Sequence, residues 1–293
     1  MNNKDFLQNF IFENSPVRGE ITRLNESYKA IMQRHAYPPE IQKLLGEALA
    51  AVSLLRSIIK SEGYLTIQFK GSGKLKILAV QCDKDFQLRG LVKWDHTEDD
   101  ENILDSLSSG LLSIIIDPNN PNGKHYQGIV EWKNQSLAKS LEEYFYQSEQ
   151  LPTRIWLSAD ENTAAGLLLQ QIPKEKPELY EDDWVNLITL TETVKPSELL
   201  NLDSNVLIKR LYAEDDVRIF EKKSVSFYCR CSAKRCENAI LTLGQKESEL
   251  ELKTKKQIII TCEFCNKEYA FDKVDVANIF KRGSSPDISS KLQ

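Results

Sequence analysis

Little in this 293-residue chain advertises an active site. It has only three histidines, and His35, His96 and His125 are scattered with no companion cluster. No G-x-x-x-x-G-K-[ST] run occurs; Gly71-Ser-Gly-Lys74 lacks that spacing and lies between two strand patterns, as a hairpin turn does. There is no H-E-x-x-H pair, no nucleophile elbow and no pair of carboxylates in a convincing context. These absences argue against nucleotide hydrolysis and hydrolytic enzyme chemistry. Basic charge is not in excess either. The 38 Lys and Arg face 43 Asp and Glu, and a net charge of -5 gives no global attraction to nucleic acid or an anionic membrane. No apolar run is long enough to span a bilayer: the best stretch, 41–60, is broken by Lys43, Glu47 and Arg56, as in a buried amphipathic helix. The first twenty residues lack the basic region, apolar core and small-residue site of a signal peptide, which predicts a cytoplasmic protein. Cysteines there are normally reduced, so closely paired ones point to metal or redox chemistry more than to structural staples.

What is present has the composition of a globular chain, 41% hydrophobic and 28% charged. Its patterns predict an α+β fold: an N-terminal antiparallel sheet packed with helices, a helical middle linker and a small C-terminal domain. Pro38-Pro39-Glu40 opens a long helix whose apolar positions, from Ile41 to Ile59, recur at helical spacing. Strands are predicted over Tyr64–Lys70, Leu75–Gln81, Leu88–Trp94, Leu111–Ile116, His125–Trp132, Ile155–Ser158 and Gly166–Gln171, and a helix over Gln135–Tyr146. Hairpin-length connections favour antiparallel pairing. Pro173-Lys-Glu-Lys-Pro177 resists regular structure and closes a domain spanning 1–177. The linker, 178–223, carries an apolar stripe of Trp184, Leu187, Ile188 and Leu190, and a second helix capped by Asp203 or Ser204. It is too short to bury a core alone and must dock on a neighbour. Its acidic residues, Glu181 to Asp183 and Glu214 to Asp216, predict marginal docking. The last domain, 224–293, is small enough to need a staple.

Four of the six cysteines supply candidates: Cys229-Arg-Cys231 and Cys262-Glu-Phe-Cys265. Zinc takes four tetrahedral ligands and thiolates suit it. The C-x-x-C turn aims two sulfurs one way, and the C-x-C pair places two on one face of an extended chain. Arg230, Lys234, Arg235 and Lys267 lie close by to offset a tetrathiolate's formal charge. A structural zinc contributes roughly 10–16 kcal/mol in finger peptides, so its loss would unfold the domain. A disulfide between Cys229 and Cys231 would close a very short, strained ring. Strained disulfides are the labile, regulatory ones. Spacing alone leaves three readings open: a constitutive zinc module, a redox switch and a thiol-disulfide oxidoreductase. Cys236 reads as a free helical thiol, able at most to substitute as a ligand, and Cys82 as a small apolar residue. A nucleic-acid contact has weak footing, since 229–293 hold twelve Lys and Arg against nine Asp and Glu.

Further segments carry a family resemblance: Phe12-Glu-Asn14, Val17-Arg-Gly-Glu20, Tyr126-Gln-Gly128, Ser148-Glu-Gln-Leu-Pro-Thr-Arg154, Ala164-Ala-Gly166, Leu190-Thr-Glu-Thr193 and Arg210-Leu-Tyr212, with the cysteine pattern and Arg235-Cys236. Taken together they are highly specific, and the chain resembles, nearly end to end, the redox-regulated thirty-three-kilodalton heat-shock chaperones. The resemblance implies a stress-activated holdase, not an enzyme. In the reduced, inactive form one zinc ion would be held by Cys229, Cys231, Cys262 and Cys265. Hypochlorous acid, or peroxide with heat, would form Cys229–Cys231 and Cys262–Cys265 disulfides and release the zinc. The middle segment would then unfold, and unfolding client proteins would be held without ATP by a protein that dimerises on activation. No nucleotide, nucleic acid or membrane is implied as a partner.

Overall fold

Strands β1 (Phe6–Phe12) and β2 (Val17–Leu24) open the chain as an antiparallel pair that alternation does not reveal. Most residues of both are buried, because each strand is covered on its two faces. A strand buried twice has no polar side to mark its period. The computed structural model describes residues 5–59, 61–95, 110–118, 126–132, 136–174 and 180–283. It divides into two compact units, Met1–Tyr228 and Cys229–Gln293.

After α1 (Glu26–Met32), proline at the first turn starts α2 (Pro39–Ile58) where the sequence places it. Strands β3 (Tyr64–Gly71), β4 (Leu75–Cys82), β5 (Gln87–Trp94), β6 (Gly110–Asp117) and β7 (Tyr126–Glu131) come next as expected, although His96, His125 and Gln135 lie outside the described residues. Gly71 to Lys74 make the hairpin turn between β3 and β4. Helix α3 (Leu137–Tyr144) ends in a wide turn before β8 (Thr153–Ala159) and β9 (Ala164–Gln171). The α+β prediction holds, with one difference: the strands form two large sheets rather than one. Helix α2 packs against β2, β8 and β9 of one sheet and against β3, β4 and β5 of the other. That position explains why α2 is buried along most of its length, with Leu45, Leu49, Val52 and Leu55 fully inaccessible.

The helical segment belongs to this first unit. It comprises α4 (Glu181–Glu192), α5 (Pro196–Asn201) and α6 (Ser204–Leu211), and Asp203 caps α6 by accepting from the Asn205 amide at 2.9 Å. Its docking partner is the face of the first sheet turned away from α2. Phe6, Phe10, Phe12, Val17 and Ile21 of β1 and β2 form a second apolar core with Leu187, Leu199, Leu207, Ile208 and Leu211 of the helices. Of the predicted stripe, Leu187 is buried, Trp184 and Leu190 pack at the margin, and Ile188 is half-buried outside the cluster. Beyond α6, β10 (Val217–Ile219) and β11 (Lys223–Ser224) pair with the outer edge of β1, and β12 (Ser226–Phe227) pairs in parallel with β5. This run brings the chain to Cys229.

The second unit holds α7 (Ala233–Leu243), α8 (Gln245–Thr254), the hairpin β13 (Ile258–Thr261) and β14 (Glu268–Phe271), and α9 (Lys273–Gly283). Ser232 caps α7 with its hydroxyl, and Gly244 turns the chain into α8 at φ 92°, a conformation L residues rarely adopt. Its core is small: Cys236, Ile240, Ile258, Phe271, Val276 and Ile279.

Candidate metal and redox centre

The two halves of the cysteine pattern arrive by different routes. Cys262 and Cys265 sit in the turn of the β13–β14 hairpin. There the Cys262 amide donates to the Lys267 carbonyl at 2.9 Å, and the Cys265 and Asn266 amides donate to the Cys262 carbonyl at 3.3 and 2.8 Å. Asn266 takes the left-handed conformation, φ 56°, that closes such a turn. Cys229 and Cys231 lie in the irregular stretch ahead of the α7 cap. Together they bring the four sulfurs within 4.8 Å of one another, all half-buried. The Cys229 sulfur lies 3.6 Å from that of Cys262, and the Cys231 sulfur 3.5 Å from that of Cys265. Each short pair thus joins one half of the pattern to the other.

Four thiols this close cannot all ionise unaided. Burial works against ionisation of Cys231, but hydrogen bonds from the Tyr269 hydroxyl, at 3.2 Å, and from neighbouring thiols outweigh it and set that thiol at about 7. Burial pushes Cys229 up and Cys265 up to about 12. The Cys231 thiolate therefore forms readily, while Cys229 and Cys265 resist ionisation. A divalent cation reverses that balance. Zinc–sulfur bonds of about 2.3 Å in a tetrahedron set sulfurs roughly 3.8 Å apart, and the observed spacing fits. The four cysteines can hold a metal ion, and the donor set is one zinc favours. Burial, with the like charge of Arg235, lowers Arg230 to about 10, a cost that anionic sulfur would offset.

Other candidates fall elsewhere. Cys236 is buried in the core of its unit, and Cys82 is fully inaccessible at the end of β4, its thiol raised by burial. His35 stacks on Tyr37 with centroids 5.0 Å apart. Tyr269 is the residue the spacing argument passes over; its position two past Lys267 on a strand leaving the C-x-x-C turn is the available signal.

A family model described as Hsp33 protein matches residues 5–272. The chain is 41% identical over 287 residues to the 33 kDa chaperonin of Ectopseudomonas mendocina, covering 96% of this chain and 97% of the relative. It is 40% identical over 291 residues to the 33 kDa chaperonin of Azotobacter vinelandii, covering 97% of each. The chain belongs to the Hsp33 family. The crystal structure of the 33 kDa chaperonin (heat shock protein 33 homolog) from Thermotoga maritima has the same fold, with a TM-score of 0.81 over 95% of this chain and 98% of that one at 20% identity. The Hsp33 family is one of chaperones rather than enzymes. Among the described residues no helix is long and apolar enough to cross a membrane.

The Hsp33 resemblance segments lie largely where the helical cover meets the sheet. Tyr212 sets its ring edge-on to Phe12, 4.9 Å between centroids, and its hydroxyl lies 2.6 Å from that of Thr191. Those three residues come from three of the matching segments. Gly19 leaves room for the Phe10 ring, which a Cβ there would meet at 2.1 Å. Ser148 to Arg154 form the turn from α3 into β8: Gln150 is left-handed at φ 54°, and Glu149 accepts from the Tyr144 hydroxyl at 3.0 Å.

Proposed function

We propose that this chain is an ATP-independent holdase, gated by the oxidation state of Cys229, Cys231, Cys262 and Cys265. The observation that carries this reading is the gathering of four sulfurs within 4.8 Å in a unit whose own apolar core is small. In the proposed division of labour, 1–177 carries the client surface, 178–223 covers it and 224–293 senses oxidant. The Hsp33 relatives support it, as does an apolar sheet face under short helices.

In the reduced state the four cysteines would be the ligands of one zinc ion. When bound, zinc would offset the four thiolate charges and tie Cys229 and Cys231 to the β13–β14 turn. Oxidation supplies the trigger. Four thiolates give four electrons to two equivalents of peroxide, forming two disulfides and four hydroxide ions, and their sulfurs no longer bind metal. The pairing decides whether the unit then melts. Bonds across the halves, Cys229 to Cys262 and Cys231 to Cys265, would close loops of about 33 residues and tie the unit together by roughly 3–4 kcal/mol. Bonds within the halves, Cys229–Cys231 and Cys262–Cys265, close only tiny loops and leave the halves free to part. Melting therefore requires the within-half pairs, although sulfurs 3.5 and 3.6 Å apart also face each other across the halves. Loss of this unit would release the chain from Cys229 backward, the helical cover would detach, and the sheet face built on Phe6, Phe10 and Phe12 would meet unfolded cytoplasmic proteins, with the protein dimerising on activation.

The test compares reduced and oxidised protein on one thermally unfolding client, with disulfides mapped on the oxidised sample. Suppression of aggregation by the oxidised form alone, with within-half pairs, is expected. Equal suppression by both forms would mean a constitutive binder. Catalytic turnover of a small disulfide would mean an oxidoreductase.

A further inference from the structure

β1 is flanked on one side by β2 over nearly its whole length. Its other edge is covered by the last stretch before the cysteines. β10 pairs with Phe10 to Phe12, and β11 with Phe6 and Leu7. Single bonds fill the gaps: the Phe220 amide donates to the Asn9 carbonyl at 2.9 Å, the Val225 amide to the Asp5 carbonyl at 3.3 Å, and the Glu13 amide to the Asp216 carbonyl at 2.9 Å. The cover is continuous but thin. β10 has three residues and β11 two, and Arg218, Phe220, Lys223 and Ser224 are exposed. What it covers is a strong pairing strand. Phe-Leu-Gln-Asn-Phe-Ile-Phe has no charge, no proline and no glycine, the composition that recruits another strand when its edge is bare.

We infer that the outer edge of β1 is a docking site for one extended segment of an unfolded polypeptide, added antiparallel in place of β10 and β11. The inference rests on the proposed function, in which the run leading to Cys229 detaches. It names what the exposed sheet then holds, and how. Every polypeptide offers the main-chain amides and carbonyls that replace those of Phe220, Val225 and Asp216, so recognition would be indifferent to sequence. Selection would come from the side: β-prone, uncharged client segments would lie along Phe10 and Phe12, as Val217 and Ile219 do at the margin of that core now. A strand edge thereby explains how unrelated clients could be held with no shared motif.

The test uses full-length oxidised protein carrying a fluorescent client and two synthetic peptides. One copies residues 216–225. The other is the same peptide N-methylated at Phe220 and Val225, which removes the amides that donate to the Asn9 and Asp5 carbonyls. The plain peptide is expected to displace client at a concentration at least tenfold below that needed by the methylated one. Hydrogen exchange supplies a second readout: the Glu13 amide should be protected in reduced protein, lose protection on oxidation and regain it with client bound. Equal displacement by the two peptides, displacement by neither, or no return of protection overturns the edge site while leaving holdase activity intact. Peptide-driven loss of dimers with client still bound places a second copy on the edge, and also overturns it. Failure of oxidised protein to hold client refutes the holdase reading and this inference together.

Discussion

Leu207→Ala should partly activate the protein with its cysteines still reduced. Leu207 lies on α6, is fully inaccessible and belongs to the apolar core between the helical segment and the first sheet. Truncating a buried leucine costs about 2–5 kcal/mol, from lost burial and from the cavity left behind. The cost falls on the docking of a segment that contributes few buried residues: α4 buries only Leu187 and Thr191, and α5 only Leu199 and Leu200. A loss of about 3 kcal/mol raises the undocked population roughly 150-fold. Val206→Ala is the matched control, one position away on the same helix but 54% exposed. Its effect should stay within about 0.5 kcal/mol. The assay is light scattering from a thermally unfolding client with reduced protein, and zinc content is measured on the same samples. Leu207→Ala should suppress aggregation while keeping its metal, and Val206→Ala should behave as the parent does. If hydrogen exchange shows the helices loosened in Leu207→Ala and reduced protein still holds no client, the sheet face under them is not the client surface and the reasoning fails.

Tyr269→Phe removes the hydroxyl that donates to the Cys231 sulfur. In metal-free reduced protein, the pH midpoint for alkylation of Cys231 should move up from about 7, and an unmoved midpoint would show that this hydrogen bond does not set it. Glu20 on β2 is buried, and desolvation raises its carboxyl from 4.5 to about 8 against the pull of Arg18 and Lys223. The folded state therefore binds a proton that the unfolded state releases between those values, so stability falls as pH rises from about 4.5 to 8. Glu20→Gln should flatten that fall in thermal unfolding of the first unit, and an unchanged slope would assign it to other groups. Removing zinc from reduced protein with a chelator should unfold 229–293, whose apolar core is small, and loosen the helical cover, while the strand signal of the two large sheets persists in circular dichroism.

Much of this was legible because local pattern and tertiary role agreed. Pro38 and Pro39 start α2 in any context, and the β3–β4 alternation survives because that hairpin carries half-buried positions. The β1–β2 pair escaped notice for the opposite reason. Covered by α2 on one side and by helices on the other, it has no polar face to give a period. The parallel β12–β5 contact is two residues long and joins positions about 140 apart in sequence, beyond any local signal. At the candidate metal centre, the thiol donors and their spacing were readable from Cys229 to Cys265. Tyr269 was not, because its role depends on which way β14 turns its side chain. The docking of 178–223 was implied by its inability to bury a core alone, but the face it covers could only come from the fold.

The most direct test of the central claim titrates reduced, zinc-loaded protein with peroxide and tracks free thiols, released zinc and client holding on each sample. Four thiols should disappear for each zinc ion released, and holding should appear in step with the loss of structure in 178–223. Complete thiol oxidation with zinc released, 178–223 still docked and client still held would contradict that claim.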